Sequence, residues 1–267
     1  MELKILHLYP EIMSLYGEWA NLAVLRRHLE QMGVTVTITP VSCDDTPDFT
    51  SADMIYMGAG TERSQKYVLN LLRPHAAALR AAEERGAVIL FTGNAMEILG
   101  ASITDAEGTV HEGLALADFT TVETSKRDPE DVIASPTLWS EPLVGFMNKC
   151  SITRGITTPL FSALTLGFGN EAKLGAEGYI SGNIIATHIT GPVLKLIHNT
   201  NVAALILGKS SNMRELDIDL ILVSNSYLPE RSDFLSTTEL VTVVGNLMEN
   251  AIEATDVIPA EDLRAVA

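Results

Sequence analysis

One stretch limits what this chain can fold into more than any other: residues 86–100, Gly-Ala-Val-Ile-Leu-Phe-Thr-Gly-Asn-Ala-Met-Glu-Ile-Leu-Gly. Ala87 to Phe91 is a short apolar run rich in β-formers, the pattern of a strand buried on both faces. Thr92-Gly93-Asn94 is a tight turn of small, turn-forming residues. Residues 95–99 then read as the first turns of a helix. A buried strand, a sharp turn and a helix start are how α/β hydrolases present a nucleophile beside free backbone N–H groups. The turn is shaped for that purpose, yet it carries no cysteine.

The chain before this stretch alternates strand and helix signals. Residues 3–8 read as a strand, residues 14–32 as a helix (Leu22, Leu25, Leu29 and Met32 at helical spacing, Gly33 as its stop), and residues 34–38 as a second strand. A polar loop over 44–49 precedes a third strand at 52–57, which ends in Gly58-Ala59-Gly60. A long helical run over 65–84 is interrupted at Pro74. This order implies βαβ units and a mainly parallel sheet. Ligands then belong at the carboxyl ends of strands, where Gly58–Gly60 and Thr92–Asn94 both fall.

From residue 102 the pattern becomes more antiparallel. Two short extended runs flank the turn at 105–108, and further strands are expected over 114–123, 142–146, 164–168 and 183–189, packed on the edge of the parallel sheet. Helices are expected over 201–216 and 237–254, with a short strand at 220–223 and a loop at 224–236 between them.

The 267 residues include 34 acidic and 18 basic ones, a formal charge of −16. That field repels phosphate backbones, and no basic patch offsets it, so nucleic acid is not an expected partner. The longest uncharged apolar runs are strand-length, so no membrane span is expected. Met-Glu-Leu-Lys-Ile-Leu-His at the start lacks signal-peptide architecture, and Cys43 and Cys150 lack metal-ligand spacing. A cytoplasmic protein with two plain thiols, no metal and no cofactor is the expectation.

Taken together, several motifs resemble those of the cobyric-acid-synthase (CobB/CobQ)-like class I glutamine amidotransferases, and within them the GatD type found in lipid II isoglutaminyl synthase. They are Leu8-Tyr9-Pro10, Leu15-Tyr16-Gly17 and Asn21, then Met57-Gly58-Ala59-Gly60-Thr61-Glu62-Arg63-Ser64-Gln65. After the turn at 92–100 come Glu112-Gly113-Leu114, the run from Pro142 to Asn148, Gly167-Phe168-Gly169-Asn170, Glu177-Gly178 and His188-Ile189-Thr190-Gly191-Pro192. The ordered set covers about residues 3–197.

The resemblance implies a three-layer α/β domain over 1–197 and a cysteine thiolate at the strand–helix turn, activated by a later histidine. It also implies ammonia delivery to a Mur-ligase-like synthetase. Residue by residue, the nucleophile position falls on Gly93, or on Thr92 after a one-residue slip. The histidine position falls on Thr190, with His188 two residues earlier, about 7 Å away on the same strand face. Gly58, Ala59, Gly60, Gln65 and Asn94 would line a pocket for glutamine or a small amide. Residues 198–267 form an α-rich extension that resembles a fragment of a citrate/fumarate-type sensor kinase, with Asn250 in its N box.

These readings leave three functions. The first is a catalytically degenerate subunit that binds or regulates a synthetase. The second is a working glutaminase that uses Thr92 or His188. The third is an ATP-binding signalling fragment centred on Asn250. Beside them stand plainer readings: His188 as a strand histidine with satisfied hydrogen bonds, and Cys43 and Cys150 as inert thiols.

Overall fold

The structure, a computed structural model, describes residues 2–15, 18–138 and 142–190, and beyond these only residues 219–220, 248 and 265–266. The chain divides into two compact units, Met1–Gly191 and Pro192–Ala267. In the second, Asp219–Leu220 pairs in parallel with Ala265–Val266. The helix expected over 201–216 and Asn250 lie outside the described residues, and of the helix expected over 237–254 only Met248 is described.

The first unit is built on a six-stranded sheet. In chain order its elements begin with β1 (Glu2–Leu8), α1 (Trp19–Gln31), β2 (Thr35–Val41), β3 (Met54–Met57), α2 (Glu62–Leu72), α3 (Ala76–Glu84) and β4 (Val88–Thr92). They continue with β5 (Ser102–Thr104), β6 (Val110–Glu112), β7 (Thr120–Pro136), β8 (Leu143–Arg154), β9 (Phe161–Leu166), β10 (Tyr179–Ser181) and β11 (Ile184–Thr187). The main sheet runs β10-β11-β4-β3-β1-β2. It is parallel throughout except for β10 on β11. β2 is an edge strand, which is why it continues through Pro40: the missing N–H faces no neighbour.

Side chains alternate across this sheet and fill two cores, giving three layers. Ile5, Val36, Met54 and Tyr56 pack with Leu22, Leu25 and Leu29 of α1. Ile55, Met57, Ile89 and Phe91 pack with Val68, Leu69 and Leu72 of α2 and Leu79 and Ala82 of α3. α1 stops at Gly33, whose φ of +81° suits a residue without Cβ. The Thr61 hydroxyl caps α2 by accepting the Ser64 N–H at 3.0 Å. Pro74 sits in a 3₁₀ turn, Arg73–His75, that separates α2 from α3.

The second half departs from expectation in two ways. Only β10 and β11 join the main sheet, and β11 does so in parallel beside β4. The rest forms a separate five-stranded sheet, β6-β5-β7-β8, with β9 also on β7. In it β7 runs unbroken through a charged stretch, with a shift in register against β8 between Glu123 and Asp128. The helix start expected at 95–99 is instead a 3₁₀ turn, Gly93–Leu99. It does not propagate because the carbonyls of Ile98 and Leu99 accept N–H groups from Leu114, Leu116 and Ala117. The chain leaves at Gly100 for β5.

Candidate functional site

Parallel pairing aligns the carboxyl ends of three neighbouring strands. Met57 of β3 lies opposite Phe91 of β4, and Thr92 of β4 lies opposite Thr187 of β11. Continuing the first register sets Ala59 beside Gly93 and Gly60 beside Asn94. The loop after β3, the turn after β4 and His188 after β11 therefore meet at the sheet position where open α/β folds take ligands.

Gly93 has a φ of +61°, a conformation that costs any other residue. A Cβ built there would lie 2.4 Å from the Ala59 Cβ and 3.2 Å from its Cα. The Ala59 methyl thus fills the space that the first atom of a side chain at 93 would need. The glycines of the loop are packed from the other side: a Cβ on Gly58 would meet the Glu18 Cβ at 2.5 Å, and one on Gly60 the Met13 Sδ at 2.3 Å.

Asn94 closes the front of the loop. Its Oδ1 accepts the Gly60 N–H at 2.9 Å, and its Nδ2 donates to the Gly60 carbonyl at 2.8 Å. Gln65, fully buried on α2, donates from Nε2 to the Asn94 carbonyl and to Glu97 Oε2, both at 2.6 Å. The five residues expected to line a substrate pocket are therefore together; Asn94 is bonded to Gly60 and Gln65, and the Ala59 carbonyl accepts the Leu15 N–H at 2.9 Å.

Thr92 belongs to a different cluster. Its hydroxyl donates to Glu18 Oε2 and lies 3.0 Å from the Tyr56 hydroxyl. The same carboxyl oxygen accepts from Tyr56 at 2.9 Å and from Asn21 Nδ2 at 2.9 Å, while Glu18 Oε1 is buried with no partner among the described residues. Burial pushes the Glu18 carboxyl up to about 7, and the hydrogen bonds from Thr92, Tyr56 and Asn21 only partly oppose it. Tyr56 is raised well above its ordinary value by burial and by Glu18.

His188 stands between two buried carboxylates. Its Nδ1 lies 3.1 Å from Glu177 Oε1, which also accepts the His188 N–H at 2.8 Å. Its Nε2 lies 3.4 Å from Glu97 Oε1. Ser151 Oγ donates to Glu97, and Thr187 Oγ1 donates to Glu177 Oε2 at 2.6 Å. Burial pushes both carboxyls up, but His188 and these hydrogen bonds outweigh it and hold both below the ordinary range.

Lys149 completes this cluster. It donates to the Gly169 carbonyl at 2.7 Å; burial lowers its pKa, and Glu177 and Glu97 oppose the shift. An open pocket adjoins it, lined by Thr124, Lys126, Lys149, Ser151 and Phe168 among others.

Thr190 is tied to β8. Its backbone exchanges two hydrogen bonds with Phe146, at 2.7 and 2.8 Å, and its hydroxyl donates to the same carbonyl at 3.1 Å. The fold thus brings Thr92, Gly93 and His188 to one end of the sheet. It does not pair the Thr92 hydroxyl with the His188 ring, since each is engaged elsewhere.

The sequence reading missed Glu18, Lys149, Ser151 and the role of Glu97. Only Glu97 left a signal, as a charge in an otherwise apolar turn. Burial and Glu62 push the Cys150 thiol up to about 12, and burial and Glu11 push Cys43 up to about 11, so neither is a ready thiolate. Among the described residues no His/Cys/Asp/Glu group could hold a metal, and no helix is long and apolar enough to cross a membrane.

Residues 4–195 match the model of the CobB/CobQ-like glutamine amidotransferase domain. The chain is 27% identical over 196 residues to the GatD subunit of lipid II isoglutaminyl synthase (glutamine-hydrolyzing) of Staphylococcus aureus (strain N315), covering 72% of this chain and 79% of that one. It is 27% identical over 205 residues to the GatD subunit of Streptococcus pneumoniae (strain ATCC BAA-255 / R6), covering 76% and 78%. A shorter match of 58 residues, 38% identical, relates 22% of this chain to 11% of sensor protein CitS of Bacillus subtilis (strain 168).

Proposed function

We propose a function from one fixed point: the chain belongs to the CobB/CobQ-like glutamine amidotransferase family. Within it, this protein is a GatD-like subunit that has lost glutamine hydrolysis. It acts in the cytoplasm as a binding or regulatory partner of a Mur-ligase-like synthetase. The observation that carries the reading is the packing of Gly93 on Ala59, 2.4 Å from where a Cβ would stand. Glycine offers no atom to form an acyl-enzyme, and the space for one is taken. Thr190 at the histidine position has no imidazole, and the His188 ring is held by Glu177 and Glu97. Gly58, Ala59, Gly60 and Gln65 keep the outline of a cradle for glutamine or another small amide, and the Asn94 side chain is bonded to Gly60 within it.

A second reading, hydrolysis through Thr92, draws support from the Glu18 carboxyl. At about 7 it could accept the hydroxyl proton. The signalling reading through Asn250 is decided by titration with Mg-ATP; absence of binding at millimolar nucleotide removes it.

The deciding experiment is ammonia release from glutamine by the purified chain, alone and with a Mur-ligase-like synthetase. Beside it run Gly93→Cys and the triple variant Gly93→Cys, Ala59→Gly, Thr190→His. The expected wild-type result is silence. Gly93→Cys alone should lose about 2 kcal/mol of stability through overpacking, measured by urea denaturation. Adding Ala59→Gly should return most of that loss, and the triple variant should gain turnover. Ammonia release by the wild type that disappears in Thr92→Ala would establish the second reading instead.

A further inference from the structure

We propose that Asn94 is an internal ligand: its side chain fills a cradle in this protein that accepts small primary amides. A primary amide carries one acceptor oxygen and N–H donors on a single edge. Gly60 presents the complementary pair, a backbone N–H and its own carbonyl, and Asn94 closes both bonds at 2.9 and 2.8 Å. Tertiary amides, esters and carboxylates lack the donor, and trans secondary amides present N–H and C=O on opposite edges.

Three further observations separate this contact from an ordinary loop staple. Gly60 follows the carboxyl end of β3 and lies beside the turn after β4, the sheet position that takes ligands in folds of this kind. Its backbone is presented bare and held from behind, because a Cβ there would strike Met13 Sδ at 2.3 Å and the Ile12 carbonyl at 2.9 Å. Asn94 is only partly buried, whereas Asn170, which makes the same paired contact with Gly178 at 3.0 and 3.1 Å, is buried. The cradle at Gly60 can therefore be reached from solvent once the side chain is removed. Gln65 fixes the Asn94 backbone carbonyl at 2.6 Å, so the turn keeps its course without the carboxamide.

The group that Asn94→Gly deletes has the size and shape of acetamide, which is the probe. In the full chain, Asn94→Gly should melt below the wild type. Acetamide should raise its melting temperature saturably, by about 4 °C at ten times the dissociation constant. Acetamide should leave the wild type unmoved, since the cradle is filled. N,N-dimethylacetamide, which has no N–H, should leave both unmoved.

A second variant, Asn94→Ala, removes only the carboxamide and is paired with formamide. An equal response of wild type and variants, or rescue by N,N-dimethylacetamide as strong as by acetamide, overturns the proposal. So does the absence of any rescue. Failure of both variants to fold even with the amide present also overturns it, because Asn94 is then required by the fold itself. The inference rests on the family reading of this turn and is read without turnover. Glutamine hydrolysis by the wild type would sink the proposed function and leave this inference standing; absent rescue does the reverse.

Discussion

Glu18 and the pair Glu97 and Glu177 are carboxyl groups in the same sheet end, all buried, and they are shifted in opposite directions. Glu18 collects three donors on one oxygen, all of them neutral, and its other oxygen has no partner among the described residues. Glu97 uses both oxygens, for Ser151 and Gln65, and also faces His188. Glu177 likewise uses both, for His188 and Thr187. Burial is common to all three, so it cannot explain the difference. What separates them is a basic group within reach and a complete set of donors. At this sheet end the fold has built two unlike polar clusters: one around Thr92, whose carboxyl is raised, and one around His188, whose carboxyls are lowered.

The largest way to break this comparison is to remove the histidine. His188→Ala leaves Glu97 and Glu177 buried without the ring that lies between them. We expect a loss of about 3–5 kcal/mol in urea denaturation, the usual cost of stranding a buried charge. Adding Glu97→Gln should recover part of that loss, because one of the stranded charges is gone. A loss below about 1 kcal/mol, the scale of an exposed pair, would mean that the cluster around His188 is not as described.

The pH profile sharpens the contrast. A carboxyl raised from 4.5 to about 7 keeps its proton in the fold after the unfolded chain has lost it. Its contribution is complete below 4.5 and is lost as pH rises to 7, about 3 kcal/mol in all. Glu97 and Glu177 are lowered, so their contribution is present above 4.5 and is lost as pH falls through their folded values. Stability should therefore peak on the acid side of neutral. Glu18→Gln should flatten the fall between pH 5 and 8, because any cost of its own is independent of pH. An unchanged slope in that variant would assign the fall to another group.

Much of this fold was legible in the sequence, for a physical reason. The first half alternates apolar strands with amphipathic helices, and Thr61, Pro74 and Gly33 punctuate it at the places where elements end. β7 was less legible because charged residues from Lys126 to Asp131 fill its middle, and its register against β8 shifts there. The site was legible as a location but not as a network. Ala59 and Gly93 are far apart in sequence, and only the parallel register of β3 on β4 brings the methyl onto the turn. Glu18 precedes α1 in a segment whose burial depends on Tyr56 and Gly58, so no local pattern marks it. Lys149 and Ser151 point inward beside Met147, a sequence that does not read as a buried strand face.

The smallest and most discriminating test uses one substitution at two paired positions. Thr92 and Thr187 lie opposite each other on β4 and β11, and each donates its hydroxyl to a buried glutamate, Thr92 to Glu18 and Thr187 to Glu177. Valine keeps the shape and removes the donor. Thr187→Val takes a hydrogen bond from an ionised carboxylate, also leaves the Ile189 N–H without its hydroxyl acceptor, and should cost about 2–3 kcal/mol. Thr92→Val takes one from a carboxyl that is half or more protonated below pH 7, and should cost about 1 kcal/mol there. The Thr92→Val loss should grow above pH 8, where the remaining donors must serve an ionised Glu18, while the Thr187→Val loss stays level. Equal losses at pH 6 would mean that Glu18 is as fully ionised as Glu177, and the cluster around Thr92 would have to be redrawn as a second charged one.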